Sequence, residues 1–132
     1  MKSRLPLFAF AMFAICALSR AQAAPQCTPP ASPMARTELL FGAGLVTDDQ
    51  WHAFLSREIT PRFPDGLTAI DGYGQWKRPD GKITAERSRI LLLWHRPDAA
   101  DDAKIDAIRA AYKKQFRQLS VMRVDGMDCV SF

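Results

Sequence analysis

Histidine and cysteine are scarce in this chain of 132 residues, with two of the first and three of the second. No cysteine has a second Cys or a His at ligand spacing, which excludes a zinc pattern, and the two histidines do not make a metal site. Nucleotide-binding glycines are missing as well. Gly72 and Gly74 flank Tyr73 without a third glycine or a following helix, so neither a dinucleotide fingerprint nor a P-loop is present. Ser56, Ser88 and Ser120 stand in no Ser-His-Asp order and have no base context, so nucleophilic catalysis has no support. No cofactor is expected.

A charge excess is lacking too, once the first residues are set apart. The whole chain carries 18 Lys+Arg against 14 Asp+Glu. Lys2, Arg4 and Arg20 lie in residues 1–23, which hold no acid, so the remainder counts 15 − 14 = +1. A near-neutral domain with interspersed signs has no electrostatic footprint for nucleic acid.

One apolar run stands out, Leu5 to Leu18, with few interruptions. It follows Lys2 and Arg4 and precedes Ala21-Gln22-Ala23, the small-residue pattern that a signal peptidase reads. The expectation is a signal peptide over 1–23, a mature start at Ala24 and a periplasmic or secreted location. The run is short for a membrane span, which needs about 20 apolar residues, so no span is expected after cleavage. An uncleaved anchor is the competing reading. Lipidation at Cys16 is rejected, because the bulky Ile15 precedes it.

Cleavage leaves Cys27 and Cys129 near opposite ends of the mature chain. An even pair in an oxidising compartment reads first as a disulfide. Two free thiols or a metal pair are the weaker alternatives.

Pro25 to Pro33 holds four prolines and reads as an extended leader over 24–35, held only by the disulfide. A single domain is expected over 36–132. Thr37–Gly42 has the pattern of a short strand, and Thr47-Asp48-Asp49-Gln50 that of a capping box. Trp51, Phe54, Leu55, Ile59 and Phe63 then recur at helical spacing until Pro61 and Pro64 end the helix. Asp65-Gly66 turns into a strand over 67–78, with a bulge or close backbone approach at Gly72 and Gly74. Pro79-Asp80-Gly81 turns again into a strand over 82–96. A second helix opens at Pro97-Asp98 with Ile105, Ile108, Tyr112 and Phe116 as its stripe, acids at its start and bases at its end. The last strand, Val121–Val124 and Val130–Phe132, is expected to break around Gly126.

The order β-α-β-β-α-β predicts an α+β, ferredoxin-like fold, a four-stranded antiparallel sheet with both helices on one face. Its first and last strands are antiparallel neighbours, which sets Cys27 beside Cys129. Helices then cover one face only, yet Ile90–Trp94 and Leu39–Phe41 are apolar on both. The expectation is that a second copy of the chain covers the open face, making a homodimer, with the leader folded over it as runner-up. Leu91 and Leu93 are the positions where an arginine is expected to test this.

The segments Thr37–Gly42, Thr60-Pro61-Arg62-Phe63-Pro64-Asp65-Gly66-Leu67-Thr68 and Asp71-Gly72-Tyr73-Gly74-Gln75-Trp76 together resemble an uncharacterised bacterial family, domain of unknown function 3574. The resemblance continues through Ile105–Tyr112 and Val121–Phe132. It implies a small exported or lipid-anchored envelope protein and supplies no reaction.

Candidate site residues are Glu38, Trp76 and His95. Glu38 is a carboxylate in an apolar strand, costly unless paired, with Arg89 and Arg123 as partners subject to register. A histidine at a strand end has the chemistry of a general base, although a solvated strand terminus explains it as well. Trp76, with Tyr73 and Gln75, has the make-up of a pocket lining or of simple hairpin packing. His52 reads as a boundary residue and Arg62 as part of a tight turn. The resulting expectation is an exported binding or interaction module whose partner is a second copy, an envelope protein or a small molecule. The alternative is a small dimeric α+β-barrel enzyme with its cavity between sheet and helices.

Overall fold

A computed structural model describes residues 25–132, so the export segment expected over 1–23 lies outside the described residues. The elements run β1 (Ser32–Gly42), α1 (Asp48–Phe54), β2 (Thr68–Lys77), β3 (Ile83–His95), α2 (Ala99–Phe116) and β4 (Met122–Val130). The four strands form one sheet in the order β2-β3-β1-β4 with every neighbouring pair antiparallel. This is the ferredoxin-like arrangement.

Local chemistry sets the helix ends. Thr47 Oγ1 accepts the Gln50 amide at 3.2 Å, and the Gln50 side chain accepts the Thr47 amide at 2.9 Å. The helix widens into a π-turn over Leu55–Ile59, where the Thr60 amide donates to the Leu55 carbonyl at 2.9 Å, and Pro61 then ends it. Asp98 caps α2 by accepting the Asp101 amide at 2.8 Å. Arg117 closes α2 in the left-handed region at φ 53°.

Residue parity along each strand decides what is buried. Leu39 and Phe41 of β1 and Leu91 and Leu93 of β3 face the helices and pack with Trp51, Phe54, Ile59, Ile105, Ile108 and Tyr112. The Phe41 and Tyr112 rings lie 4.6 Å apart, and the Tyr112 hydroxyl donates to the Gly42 carbonyl at 2.8 Å. Burial pushes the Tyr112 phenol up to about 12. Arg89, 3% exposed, lies on the same face over the Trp51 ring and pairs with Asp48 and Asp71. That pairing, Arg89 first and Arg87 second, lowers the Asp48 carboxyl from its ordinary value.

Three expectations need correction. Leu91 and Leu93 belong to the core, so the open face of β3 is Ile90, Leu92 and Trp94. β1 begins at Ser32, and Ser32–Ala35 pair with β4 from Val130 to Met127, so the leader is held by the sheet as well as by the disulfide. Proline at position 33 is compatible because the edge of a ladder tolerates a missing donor. β4 runs through Gly126 without a break, because the glycine makes room for the Arg36 guanidinium; a Cβ there would lie 3.2 Å from Arg36 Nη2. Of the two alternatives at Gly72, a bulge or a close approach, the second is present: the glycine admits the Ser88 side chain, and β2 and β3 pair one to one. Cys27 and Cys129 are disulfide-bonded across 102 residues, with their Cα atoms 5.5 Å apart.

Candidate functional site

His95 is the last residue of β3, and its parity turns it inward, where it is 6% exposed. Its Nδ1 lies 2.8 Å from the Arg96 carbonyl and its Nε2 3.0 Å from Thr37 Oγ1. A carbonyl only accepts, so Nδ1 carries a hydrogen. Thr37, 1% exposed, donates its hydroxyl to Asp125 Oδ1 at 2.8 Å. A polar chain thus runs from β4 through β1 to the end of β3. His95 Nδ1 is thus committed to the Arg96 carbonyl, Nε2 faces Thr37, and the Phe63 ring lies 5.8 Å from the imidazole.

Two carboxylates flank the histidine. Asp101 lies in the first turn of α2, its Oδ2 3.9 Å from His95 Nδ1 and its Oδ1 2.6 Å from Lys104 Nζ. The Lys104 hydrogen bond holds the Asp101 carboxyl below the ordinary value in spite of burial, and the Arg96 amide adds to this. Burial raises the Asp125 carboxyl, but Arg123 and the Thr37 hydroxyl outweigh it and leave it lowered. The Arg96 carbonyl is held twice, by His95 Nδ1 at 2.8 Å and by the Asp98 amide at 2.9 Å.

A cleft of about 900 Å³ opens above this network. Its walls are the 62–68 loop, the exit of β3, the first turns of α2 and the end of β4. Phe63, Leu67, Trp94 and Val130 supply apolar surface, and charged groups stand around the mouth.

The three sequence candidates do not converge. Glu38 lies on the open face of the sheet, opposite Leu92 and Val124. Its partner is Arg36, two residues away, which also lies 3.0 Å from Asp128. Arg89 and Arg123 are excluded as partners because they register with Phe41 and Leu39, on the helix side. Trp76 is on the open face at the hairpin end, its Nε1 donating to Glu86 at 3.2 Å. It pairs with Thr84, eleven residues before His95, or about 35 Å along β3 at ~3.3 Å per residue. Only His95 borders the cleft. Thr37 and Asp125 escaped the sequence reading, since their signal is contact across 58 and 88 positions, whereas Arg96 and Asp101 lie within six residues of His95 and read there only as a strand exit and a helix start. A threonine in an apolar strand, on the face of Leu39 and Phe41, was the one available hint.

Among the described residues no group of three or more His, Cys, Asp and Glu is placed to hold a metal ion. No helix among them is long and apolar enough to cross a membrane.

The fold is shared with solved structures at low identity. A phage SAM lyase in complex with S-methyl-5'-thioadenosine is 11% identical, with TM-score 0.58, covering 75% of this chain and 90% of that one. CutA from Synechococcus elongatus PCC7942 is 12% identical, with TM-score 0.51, covering 76% and 85%. At such identity the likeness shows the fold alone. No curated protein matches the sequence. A family model described as "Protein of unknown function (DUF3574)" matches residues 36–132.

Proposed function

The chain belongs to the family of proteins of unknown function DUF3574, and on that footing we propose that it is an exported, non-enzymatic interaction module that self-associates through the open face of its sheet. The observation that carries this is the make-up of that face. Leu40, Ile90 and Leu92 lie half-buried at its centre, and Ile70, Trp94, Met122 and Val124 are exposed around them. The carboxylates nearest its centre, Glu38 and Asp128, both pair with Arg36, and Asp128 also accepts the Trp94 indole N–H at 3.0 Å, so each has a partner on burial.

The size fits a second copy. Four strands at ~4.8 Å spacing and about nine residues at ~3.3 Å give a flat patch of roughly 570 Å² on each copy. Side-chain relief brings two such patches to about 1,200 Å², the lower bound for a stable interface. Export is supported by the Cys27–Cys129 disulfide, a bond that persists in oxidising compartments. The enzyme alternative is less well supported: core side chains fill the centre of the space between sheet and helices, and the cleft at its end is lined by His95 but not by Glu38, which lies on the opposite face.

Sedimentation equilibrium on the disulfide-intact mature protein tests the reading. A dimer that Leu92→Arg converts to a folded monomer is expected, because the substitution sets a charge at the centre of the patch. A wild-type monomer at about 100 μM, weaker than nearly any specific homodimer, refutes it.

A further inference from the structure

We propose that the cleft beside His95 binds a small zwitterion with an apolar body, the chemistry of a free aromatic or branched amino acid. Its volume of about 900 Å³ is within the range of small-molecule sites, about 300–1,000 Å³. The argument rests on which charges at the cleft are already satisfied.

Lys104 is paired with Asp101 at 2.6 Å and Arg62 with Glu58 at 2.9 Å. Asp98 has no ion-pair partner among the described residues, but it is the N-cap of α2, where the helix dipole offsets its charge. Two side-chain charges remain with neither an ion pair nor a helix end, Arg96 at the exit of β3 and Asp65 in the 62–68 loop, on different walls of the cleft. Both are exposed, and neither has an ion-pair partner within 4.0 Å among the described residues. A ligand carboxylate complements Arg96, and a ligand ammonium complements Asp65. Phe63, Leu67 and Val130 then take the apolar body.

Charge balance also selects against other classes. A simple anion leaves Asp65 facing it without compensation, and a simple cation does the same with Arg96. The buried network has a part in this. Because His95 and the Asp98 amide both hold the Arg96 carbonyl, the guanidinium starts from a fixed backbone, which lowers the entropy lost on binding. His95 is a positioning residue here, and Thr37 acts through it from outside the cleft. Arg96 and Asp65 are not among the residues of the apolar patch, although Trp94 borders both the patch and the cleft.

Amide chemical-shift perturbation with L-tryptophan, L-leucine, indole-3-acetate and tryptamine tests it. L-tryptophan and L-leucine are expected to shift residues 62–68 and 95–101 in a saturable way. Indole-3-acetate and tryptamine, each lacking one charge, are expected to bind about tenfold more weakly than L-tryptophan, or about 1.4 kcal/mol. Arg96→Ala and Asp65→Asn should each weaken L-tryptophan by a similar factor, while Arg78→Ala in the distant hairpin leaves it unchanged. Saturable shifts that persist in the Leu92→Arg variant separate this site from the sheet face. The proposal is overturned by no saturable shift up to about 10 mM amino acid, a bound weaker than useful recognition. Equal affinity for indole-3-acetate and L-tryptophan, or an Asp65→Asn variant that binds L-tryptophan as wild type, overturns it as well.

Discussion

Replacing Thr37 with valine removes one oxygen from the centre of the polar chain and almost nothing else. The two side chains have nearly the same volume, and Thr37 is 1% exposed, so the packing against β3 is kept. The lost atom serves two partners, Asp125 at 2.8 Å and His95 at 3.0 Å. They respond differently. The Asp125 side chain is 52% exposed and keeps Arg123 at 2.8 Å, so water replaces the hydroxyl at a cost below about 1 kcal/mol. The His95 side chain is 4% exposed, and its Nε2 is left in a dry place without a partner, at about 1–3 kcal/mol. The expected loss is about 2–3 kcal/mol, a large part of the total stability of a domain of this size. Urea unfolding followed by tryptophan fluorescence reads it directly as a drop in midpoint with unchanged slope. Thr37→Ser, which keeps the hydroxyl, should lose only about 1 kcal/mol through its missing methyl. Thr37→Val with His95→Phe should recover part of the loss, because removing both partners leaves no orphaned nitrogen. If Thr37→Val stays within about 0.5 kcal/mol of wild type while Thr37→Ser is worse, packing and not the hydroxyl holds this site, and the reasoning fails.

Further outcomes follow from the same structure. Reducing the Cys27–Cys129 bond, which closes a separation of 102 residues, should cost about 2–4 kcal/mol, measured as the urea midpoint with and without reductant. Protein taken from its native compartment should resist thiol alkylation until it is reduced. The Asp101 carboxyl is lowered in the folded state from 3.8, so its contribution is present above that value and is lost as the pH falls through the folded one. Asp101→Asn should therefore be less stable than wild type at pH 7, and the gap should narrow as acid unfolding is scanned below about pH 4; a gap constant with pH refutes the assignment. Leu92→Arg is expected to abolish self-association with the unfolding midpoint within about 0.5 kcal/mol of the wild-type monomer, in contrast to Leu91→Arg, which places a charge in the core and should prevent folding.

Features that depend on neighbours in sequence were legible before any coordinates. The capping box at Thr47 and Gln50 is set by residues three apart. The stripe Ile105, Ile108, Tyr112 follows from helical period, and all three are buried. The element order led to the topology, and the topology brought Cys27 to Cys129. The candidate site was far less legible. His95 stood out as a titratable strand end, but its partners lie 58 residues away in Thr37 and, through it, 88 further on in Asp125. Glu38 was recognised as a carboxylate in need of a cation, yet the cation is Arg36 on its own strand, across one residue.

Sequence alone determined the elements, their order and the residues able to cap, turn or bridge them, because each depends on short-range period, turn chemistry or chain topology. Tertiary structure decided which parity of each strand meets the helices. A run such as Ile90–Trp94 is apolar at every position, so its pattern carries no information about its two faces. Only packing against Trp51, Ile105 and Tyr112 chose Leu91 and Leu93 for the core and left Ile90, Leu92 and Trp94 outside. The same choice turned His95 and Thr37 inward and Glu38 outward, since side chains alternate with a period of two and one residue's face assigns all the others.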